Sequence, residues 1–248
     1  MVGGGQGAFI GAVHRLAARM DDHYEFVAGA LSSDAARSKA SGEELGLAPD
    51  RIYGDFREMA KAEAKRKDGI EAVSIVTPNH MHFPAAKAFI EAGIHVICDK
   101  PLALSLKEAK SLEALLAKRK DVIFALTHNY SGYPMIRQAK AMVAAGELGD
   151  IRLVQGEYPQ DWLTTALEKT GQKQAAWRTD PKRSGAGGCV GDIGTHTYQL
   201  MCDVSGLAGA ELAADLTSFV KGRALDDNAN VMLRFKAKDG TSAKGMLW

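Results

Sequence analysis

Five segments of this 248-residue sequence hold residues whose types and spacing suit chemistry. The first is Gly3-Gly4-Gly5-Gln6-Gly7-Ala8. Its Gly3-x-Gly5-x-x-Ala8 spacing fits the G-x-G-x-x-G/A dinucleotide fingerprint. There the first glycine permits a tight turn and the second lets the backbone approach a pyrophosphate. The third small residue lets helix and strand pack closely. A flexible glycine-rich turn is the plainer alternative. The second segment is Ser32-Ser33-Asp34 with Arg37 behind it, where a dinucleotide's ribose is bound. Hydroxyls plus a cation suit a 2′-phosphate, and Asp34 reads equally as a helix cap, so NAD and NADP both stay open.

The third segment, Thr77-Pro78-Asn79-His80-Met81-His82, follows a β-branched run. Its two histidines lack Cys, Asp or Glu at ligand spacing, so the expectation is no metal, and a turn against a cofactor is favoured. The fourth is Cys98-Asp99-Lys100-Pro101. A lysine at a strand end beside a nicotinamide is placed for proton or charge work, although taken alone it reads as a surface lysine. The fifth runs from Gly185 to His196 and contains Gly191-Asp192-Ile193-Gly194-Thr195-His196. Asp192 and His196 are four apart and share a face on a helix. A carboxylate there orients an imidazole, whereas a glycine-rich helix start capped by Asp192 is the equal alternative.

The elements around these segments alternate. Strands are expected at Met1-Val2, Glu25 to Leu31, Ala72 to Val76, His95 to Cys98 and Val122 to Thr127. Helices are expected from Phe9 to Met20, from Asp34 to about Leu45, from Asp55 to about Lys67, from Phe83 to Glu91 and from Ser105 to about Lys118. Asp55-Phe56-Arg57-Glu58 and Ser105-Leu106-Lys107-Glu108 are capping-box patterns. This alternation predicts a doubly wound α/β parallel sheet with ligands at the strands' carboxyl ends. Beyond His128 the pattern changes. A helix from Pro134 to Ala145, a strand from Ile151 to Tyr158, a long irregular stretch from Pro159 to Gly188 and a helix from Asp192 to Val204 are expected. Strands follow at Leu212 to Val220, Asn230 to Phe235 and from Ser242, with Asp239-Gly240 as a hairpin turn. The reading is a dinucleotide-binding domain over 1–128 and part of an α+β domain with an open, mainly antiparallel sheet over 129–248.

Composition narrows the function classes. The 31 Lys+Arg balance 30 Asp+Glu, so the chain has no electrostatic footprint for nucleic acid or anionic membrane. No uncharged apolar run approaches the ~20 residues that span a bilayer. Three scattered cysteines make no disulfide framework, and a cytoplasmic setting is expected.

Together and in this order, the segments resemble the Gfo/Idh/MocA family of NAD(P)-dependent sugar and inositol oxidoreductases. Asp99-Lys100-Pro101 is similar to the family's E-K-P, and Gly191-Asp192-x-x-x-His196 to its G-D-x-x-x-H. Asn129 to Pro134 is similar to its N-R-R-F-x-P, and Trp177-Arg178 with the following glycines to its substrate loop. Asp99 replaces the usual Glu, Tyr130 and Ser131 stand where arginines are common, and extra residues separate the glycine cluster from His14.

The resemblance implies hydride transfer between NAD or NADP and a secondary hydroxyl of a sugar, anhydrosugar or inositol. It implies His196 as general base, with Lys100 and Asp192 positioning the hydroxyl. Gly3, Gly5, Gln6, Gly7, Ala8, Ser32, Ser33, Arg37, Thr77, Pro78, Asn79, His82, Asp99, Lys100 and Pro101 are implied at the cofactor. Lys100, Asn129, Tyr133, Trp177, Arg178, Asp192 and His196 are implied at the substrate. It also implies a homo-oligomer at full length and a chain cut at both ends. An NAD-dependent glycoside hydrolase and a non-catalytic dinucleotide-binding regulator share the fold. The hydrolase would cleave glycosides with no net cofactor change, and the regulator would lack the catalytic Lys or His.

Overall fold

The computed structural model describes residues 1–236, 240 and 242–248. The chain forms two compact units, Met1–Thr127 and His128–Trp248. The first holds β1 (Val2–Gly3), α1 (Ile10–Met20), α2 (Ala35–Glu44), α3 (Phe56–Glu63), β2 (Ala72–Val76), α4 (His82–Ala92), β3 (His95–Asp99), α5 (Leu106–Lys118) and β4 (Phe124–Thr127). The strands form a parallel sheet in the order β1-β2-β3-β4. Val73, Ile75, Val96 and Cys98 are buried in it, as strands covered by helices on both faces require.

The expected strand at Glu25 to Leu31 is reduced to single bridges, Val2 with Ala30 and Gly29 with Ile52. Its neighbour β1 offers only two residues for pairing, so a strand-like sequence builds no ladder there. With those bridges read as short strands, the order is third, second, first, fourth, fifth, sixth. That is the doubly wound order whose ligands bind at the carboxyl edge.

The helix starts follow local chemistry. The Asp34 side chain accepts from the Arg37 amide, Asp55 from the amides of Arg57 and Glu58, and Ser105 from that of Glu108. Glu108 reaches back to the Leu104 amide, one residue before the cap. α3 ends at Glu63, four residues short of the expected Lys67. There Glu63 is taken into the interior.

Glu63 has an almost fully buried side chain and accepts from Arg51 Nη2 at 2.6 Å, from the Tyr53 hydroxyl at 2.7 Å and from the Ile70 amide at 3.1 Å. Burial, reinforced by the Glu63 hydrogen bond and charge, pushes the Tyr53 phenol up to about 12. Arg51 and Tyr53 also bond Gly29 through their backbones, so this polar cluster fastens the sheet's outer edge.

The second unit holds α6 (Pro134–Ala144), β5 (Leu153–Gly156), α7 (Lys173–Arg178), α8 (Pro181–Ser184), α9 (Thr195–Ser205), β6 (Ala208–Thr217), β7 (Asn228–Lys236) and β8 (Ser242–Leu247). Its sheet runs β5-β8-β7-β6, with β5 parallel to β8 and the other pairs antiparallel. Met201 of α9 packs with Leu207, Leu233, Phe235, Ala243 and Leu247 to form its core. The stretch expected to be irregular from Pro159 to Gly188 contains α7 and α8, started by the side chains of Gln172 and Asp180. A π turn, Val190–Gly194, precedes α9, so Asp192 and His196 do not share one regular α-helix. The Asp239 half of the expected hairpin turn lies outside the described residues. Among the described residues no helix is long and apolar enough to cross a membrane.

Replacing Glu63 by Gln leaves the Arg51 cation without its buried counter-charge, which costs about 3–5 kcal/mol in such settings. Denaturant unfolding of Glu63→Gln is expected to show that loss. An Arg51→Met, Glu63→Leu double variant is expected to recover most of it, because no charge then stays buried. A loss below about 1 kcal/mol in the single variant contradicts this role for the cluster.

Candidate functional site

In the first unit, the residues singled out in the sequence gather along the carboxyl edge of the sheet. Gly3 and Gly4 turn there with φ of +78° and +76°. A Cβ on Gly3 would lie 2.9 Å from the Val76 carbonyl, and one on Gly5 would lie 2.6 Å from Ser41 Oγ. Close packing of helix on strand falls to Gly11, where an added Cβ would meet Gly4 Cα at 2.4 Å. Ala8 sits in the turn before α1 instead. The fingerprint is therefore stretched, and the Gly11-x-x-His14 spacing carries its last part.

Two serines of α2 hold this loop, and the sequence reading did not single them out. Ser38 Oγ accepts from the Leu31 amide and donates to the Tyr53 carbonyl. Ser41 Oγ accepts from the Gln6 amide. The Gln6 side chain donates to Glu44, so it is engaged within the protein. Asp34 is occupied as the α2 cap, while Ser33 and Arg37 are exposed beside it.

Asp99 ends β3 and is largely buried. Its Oδ1 lies 2.9 Å from His14 Nε2 and accepts from the Thr127 hydroxyl at 2.7 Å. His14 Nδ1 lies 2.9 Å from Ser74 Oγ. Burial alone would raise the Asp99 pKa, but the His14 hydrogen bond and charge and the Thr127 hydroxyl outweigh it and hold the carboxyl below its ordinary range. Lys100 follows directly, with a cis bond to Pro101. His82 bridges the two neighbouring loops, its Nδ1 2.6 Å from the Pro101 carbonyl and its Nε2 2.9 Å from that of Thr77. Burial lowers its pKa. Neutral, the ring donates one hydrogen bond, to one of these two carbonyls at a time.

The unit fits a dinucleotide. α2, α3 and α5 open with side-chain caps, whereas α1, which follows β1, opens without one. An uncapped first turn leaves amides for an anion. Thr77 Oγ1 is buried at that edge with no hydrogen-bond partner among the described residues. Asn79 is buried next to it, after Pro78.

In the second unit, His196 is in the first turn of α9 and 7% exposed. Aromatic rings surround it. Tyr130 lies 4.8 Å away edge-on, His128 6.0 Å and Tyr158 6.3 Å between ring centroids. The hydroxyls of Tyr130 and Tyr158 are hydrogen-bonded to each other. Tyr133 stacks edge-on against Tyr130, and Asn129 opens the turn that carries Tyr130. Asp192 Oδ2 accepts from Arg178 Nε at 3.0 Å. Arg178 in turn bonds Gln174 and lies over the Trp177 ring at 4.2 Å. The Trp177-Arg178 pair and Asp192 are thus brought together, and Tyr130, Tyr158 and His128 join His196. A lone aromatic has no sequence signature that would have marked Tyr158.

Asp99 carries a testable sign. Its pKa is depressed on folding, so the stability it contributes is present above the ordinary carboxyl value of about 4 and is lost as pH falls through the folded value. Melting midpoints of the protein and of Asp99→Asn are expected to differ most near neutrality and to converge below about pH 4. A gap that does not change with pH overturns this account of the network.

Residues 1–140 match the oxidoreductase family model with an NAD-binding Rossmann fold, and residues 136–245 match the Gfo/Idh/MocA C-terminal domain. An uncharacterized oxidoreductase of Bacillus subtilis, YfiI, is 40% identical over the whole chain, which covers 63% of that protein. Levoglucosan dehydrogenase of Pseudarthrobacter phenanthrenivorans is 31% identical over 81% of the chain and 49% of its own length. The crystal structure of an inositol dehydrogenase homolog from Azotobacter vinelandii complexed with NAD+ superposes with a TM-score of 0.93 at 40% identity, covering 100% of this chain and 63% of that one. The same source's complex with NADH and myo-inositol gives 0.90 at 38% identity, covering 100% of this chain and 62% of that one. The chain thus spans less than two thirds of the length of these relatives. On the match of its first 140 residues and of the C-terminal region after them, the chain belongs to the Gfo/Idh/MocA family of oxidoreductases, with an NAD-binding Rossmann domain.

Proposed function

We propose that the protein is an NAD-dependent dehydrogenase that oxidises a secondary hydroxyl of a sugar, anhydrosugar or inositol. The observation that carries this reading is the carboxyl edge of the first unit. Its glycine turn has no room for a Cβ, its Thr77 hydroxyl is buried and unpartnered among the described residues, and α1 opens uncapped. The polyol part is supported by relatives named for levoglucosan and by a neighbour's complex with myo-inositol.

Gly3, Gly5 and Gly7 and the opening amides of α1 hold the pyrophosphate, and Ser32, Ser33 and Arg37 face the ribose. Thr77, Pro78 and Asn79 line the edge, and Asp99 and Pro101 fix the backbone around Lys100. When bound, the nicotinamide accepts a hydride, which is the difficult part of the chemistry.

The protein's residues handle the proton. His196, enclosed by aromatic rings, takes it from the substrate hydroxyl as general base. Lys100 steadies the charge that develops on the oxygen. Asp192, set by Arg178, orients the hydroxyl. Asn129, Tyr133 and Trp177 complete the substrate contacts. The presence of Lys100, Asp192 and His196 favours an enzyme over a regulator.

General acid–base catalysis is worth about 10²–10⁴-fold. Lys100→Ala and His196→Ala in the full-length protein are therefore each expected to lower kcat by about two decades or more. The measurement is nicotinamide absorbance with a polyol panel and saturating NAD. Near-normal turnover in both variants removes the assignment. Glycoside cleavage with no net change in absorbance replaces the dehydrogenase with a hydrolase.

A further inference from the structure

The segment that delivers Asp192 and His196 is poorly suited to hold itself. Gly185-Ala186-Gly187-Gly188-Cys189-Val190-Gly191-Asp192-Ile193-Gly194 has five glycines in ten residues. Glycine loses more backbone freedom on ordering than any other residue. Its last five residues form a π turn, a wider and less favourable coil than an α-helix.

One residue far along the chain takes up the loose amides. Asp226 Oδ1 accepts from the Gly188 amide at 2.6 Å, and its Oδ2 accepts from the Val190 amide at 2.9 Å. Its backbone carbonyl accepts from the Cys189 amide at 2.9 Å, and the Cys189 thiol donates to Oδ2 at 3.1 Å. Three successive amides are thus taken up by one residue, two by its carboxylate and the middle one by its backbone carbonyl. Hydrogen bonds to an ionised acceptor are roughly twice as strong as neutral ones. The approach is close enough that a Cβ on Gly188 would lie 2.0 Å from the Asp226 carbonyl oxygen.

Asp226 itself is well anchored. It lies two residues before β7, which pairs on both sides in the second sheet. The next residue, Asp227, accepts from the Phe219 and Val220 amides and pairs with Arg223 Nη1 at 3.1 Å. Arg223, with its side chain 2% exposed, bonds Glu168 through two nitrogens and the carbonyls of Leu163 and Thr165. The dipeptide therefore fastens two loops to the sheet, the glycine-rich turn and the segment that follows Trp162.

We propose that Asp226 is a positioning residue for the reaction, fixing the π turn and through it the setting of Asp192 and His196. This rests on the dehydrogenase reading given above. Asparagine at 226 offers one acceptor oxygen where the two amides need two, and it carries no charge. A misplacement of about 1 Å at a reacting group can cost on the order of 100-fold in rate.

The test compares the full-length protein with Asp226→Asn and Gly188→Ala. Both variants are expected to lower kcat about 10- to 100-fold while the NAD dissociation constant stays within about twofold. The pH profile of kcat/KM is expected to shift, because the setting of His196 changes, while the melting midpoint of Asp226→Asn stays within a few degrees. Cys189 gives a readout independent of turnover. Burial, and then Asp226, raise its thiol pKa to about 12, so alkylation at about pH 8 is slow in the native protein. It is expected to accelerate in Asp226→Asn.

Turnover within about twofold of the parent in a folded Asp226→Asn overturns the proposal. So does a rate loss matched by equal losses of NAD affinity and thermal stability, which marks a general structural role. If the parent turns over no polyol, the dehydrogenase reading fails instead. The alkylation rate then decides the clamp, faster in the variant supporting it and unchanged overturning it.

Discussion

The first unit turns on a problem that every parallel sheet has. Neighbouring strands are joined only by long crossovers, so nothing covalent links their carboxyl ends where a ligand must be gripped. Here a polar tie supplies the link. Asp99 at the end of β3 takes His14 of α1 and Thr127 of β4, and His14 reaches on to Ser74 of β2. A buried carboxylate is costly unless it is hydrogen-bonded, and Asp99 has two donors on one oxygen. The same residue precedes Lys100, so the tie that closes the sheet edge also sets where the lysine leaves the strand. His82 sits between the Thr77 and Pro101 carbonyls one layer out and donates to one of them.

Much of the first unit was legible because its signals are local. Asp34, Asp55 and Ser105 cap α2, α3 and α5 through bonds to amides two or three residues away. The β-branched run at Ala72–Val76 is a strand with those bounds. What was not legible is non-local. Glu25 to Leu31 has strand-like residues but almost nothing to pair with, and pairing makes the strand. The role of Gly11 depends on Gly4 coming within contact of it across a turn. Ser38 and Ser41 look like ordinary helix serines. Only the fold turns them toward Leu31, Tyr53 and Gln6.

The second unit was read less well, for the same reason. Its motif residues, Asp192, His196, Trp177 and Arg178, stand close together in sequence and are legible as motifs. The geometry joining them was not. A period-based reading puts Asp192 and His196 on one α-helix, yet the glycines around Asp192 accommodate a π turn. The stretch from Pro159 to Gly188 reads as loop because its helices, six and four residues long, fall below the length at which periodicity is visible. Asp226, thirty-four residues beyond Asp192 in the numbering, carries no signature at all.

The substitution at Tyr130 fits this arrangement. An arginine at that position would set a permanent cation close to the imidazole of His196, and a nearby cation opposes the gain of a proton. A tyrosine fills the space with a rigid ring and brings no charge. Its edge-on packing against His196, 4.8 Å between centroids, suits the aromatic quadrupole. Its hydroxyl is held by Tyr158. Arg178, a cation of the same unit, is balanced by Asp192 and stacked on Trp177. At position 130 a ring thus packs against His196 where a cation would otherwise stand.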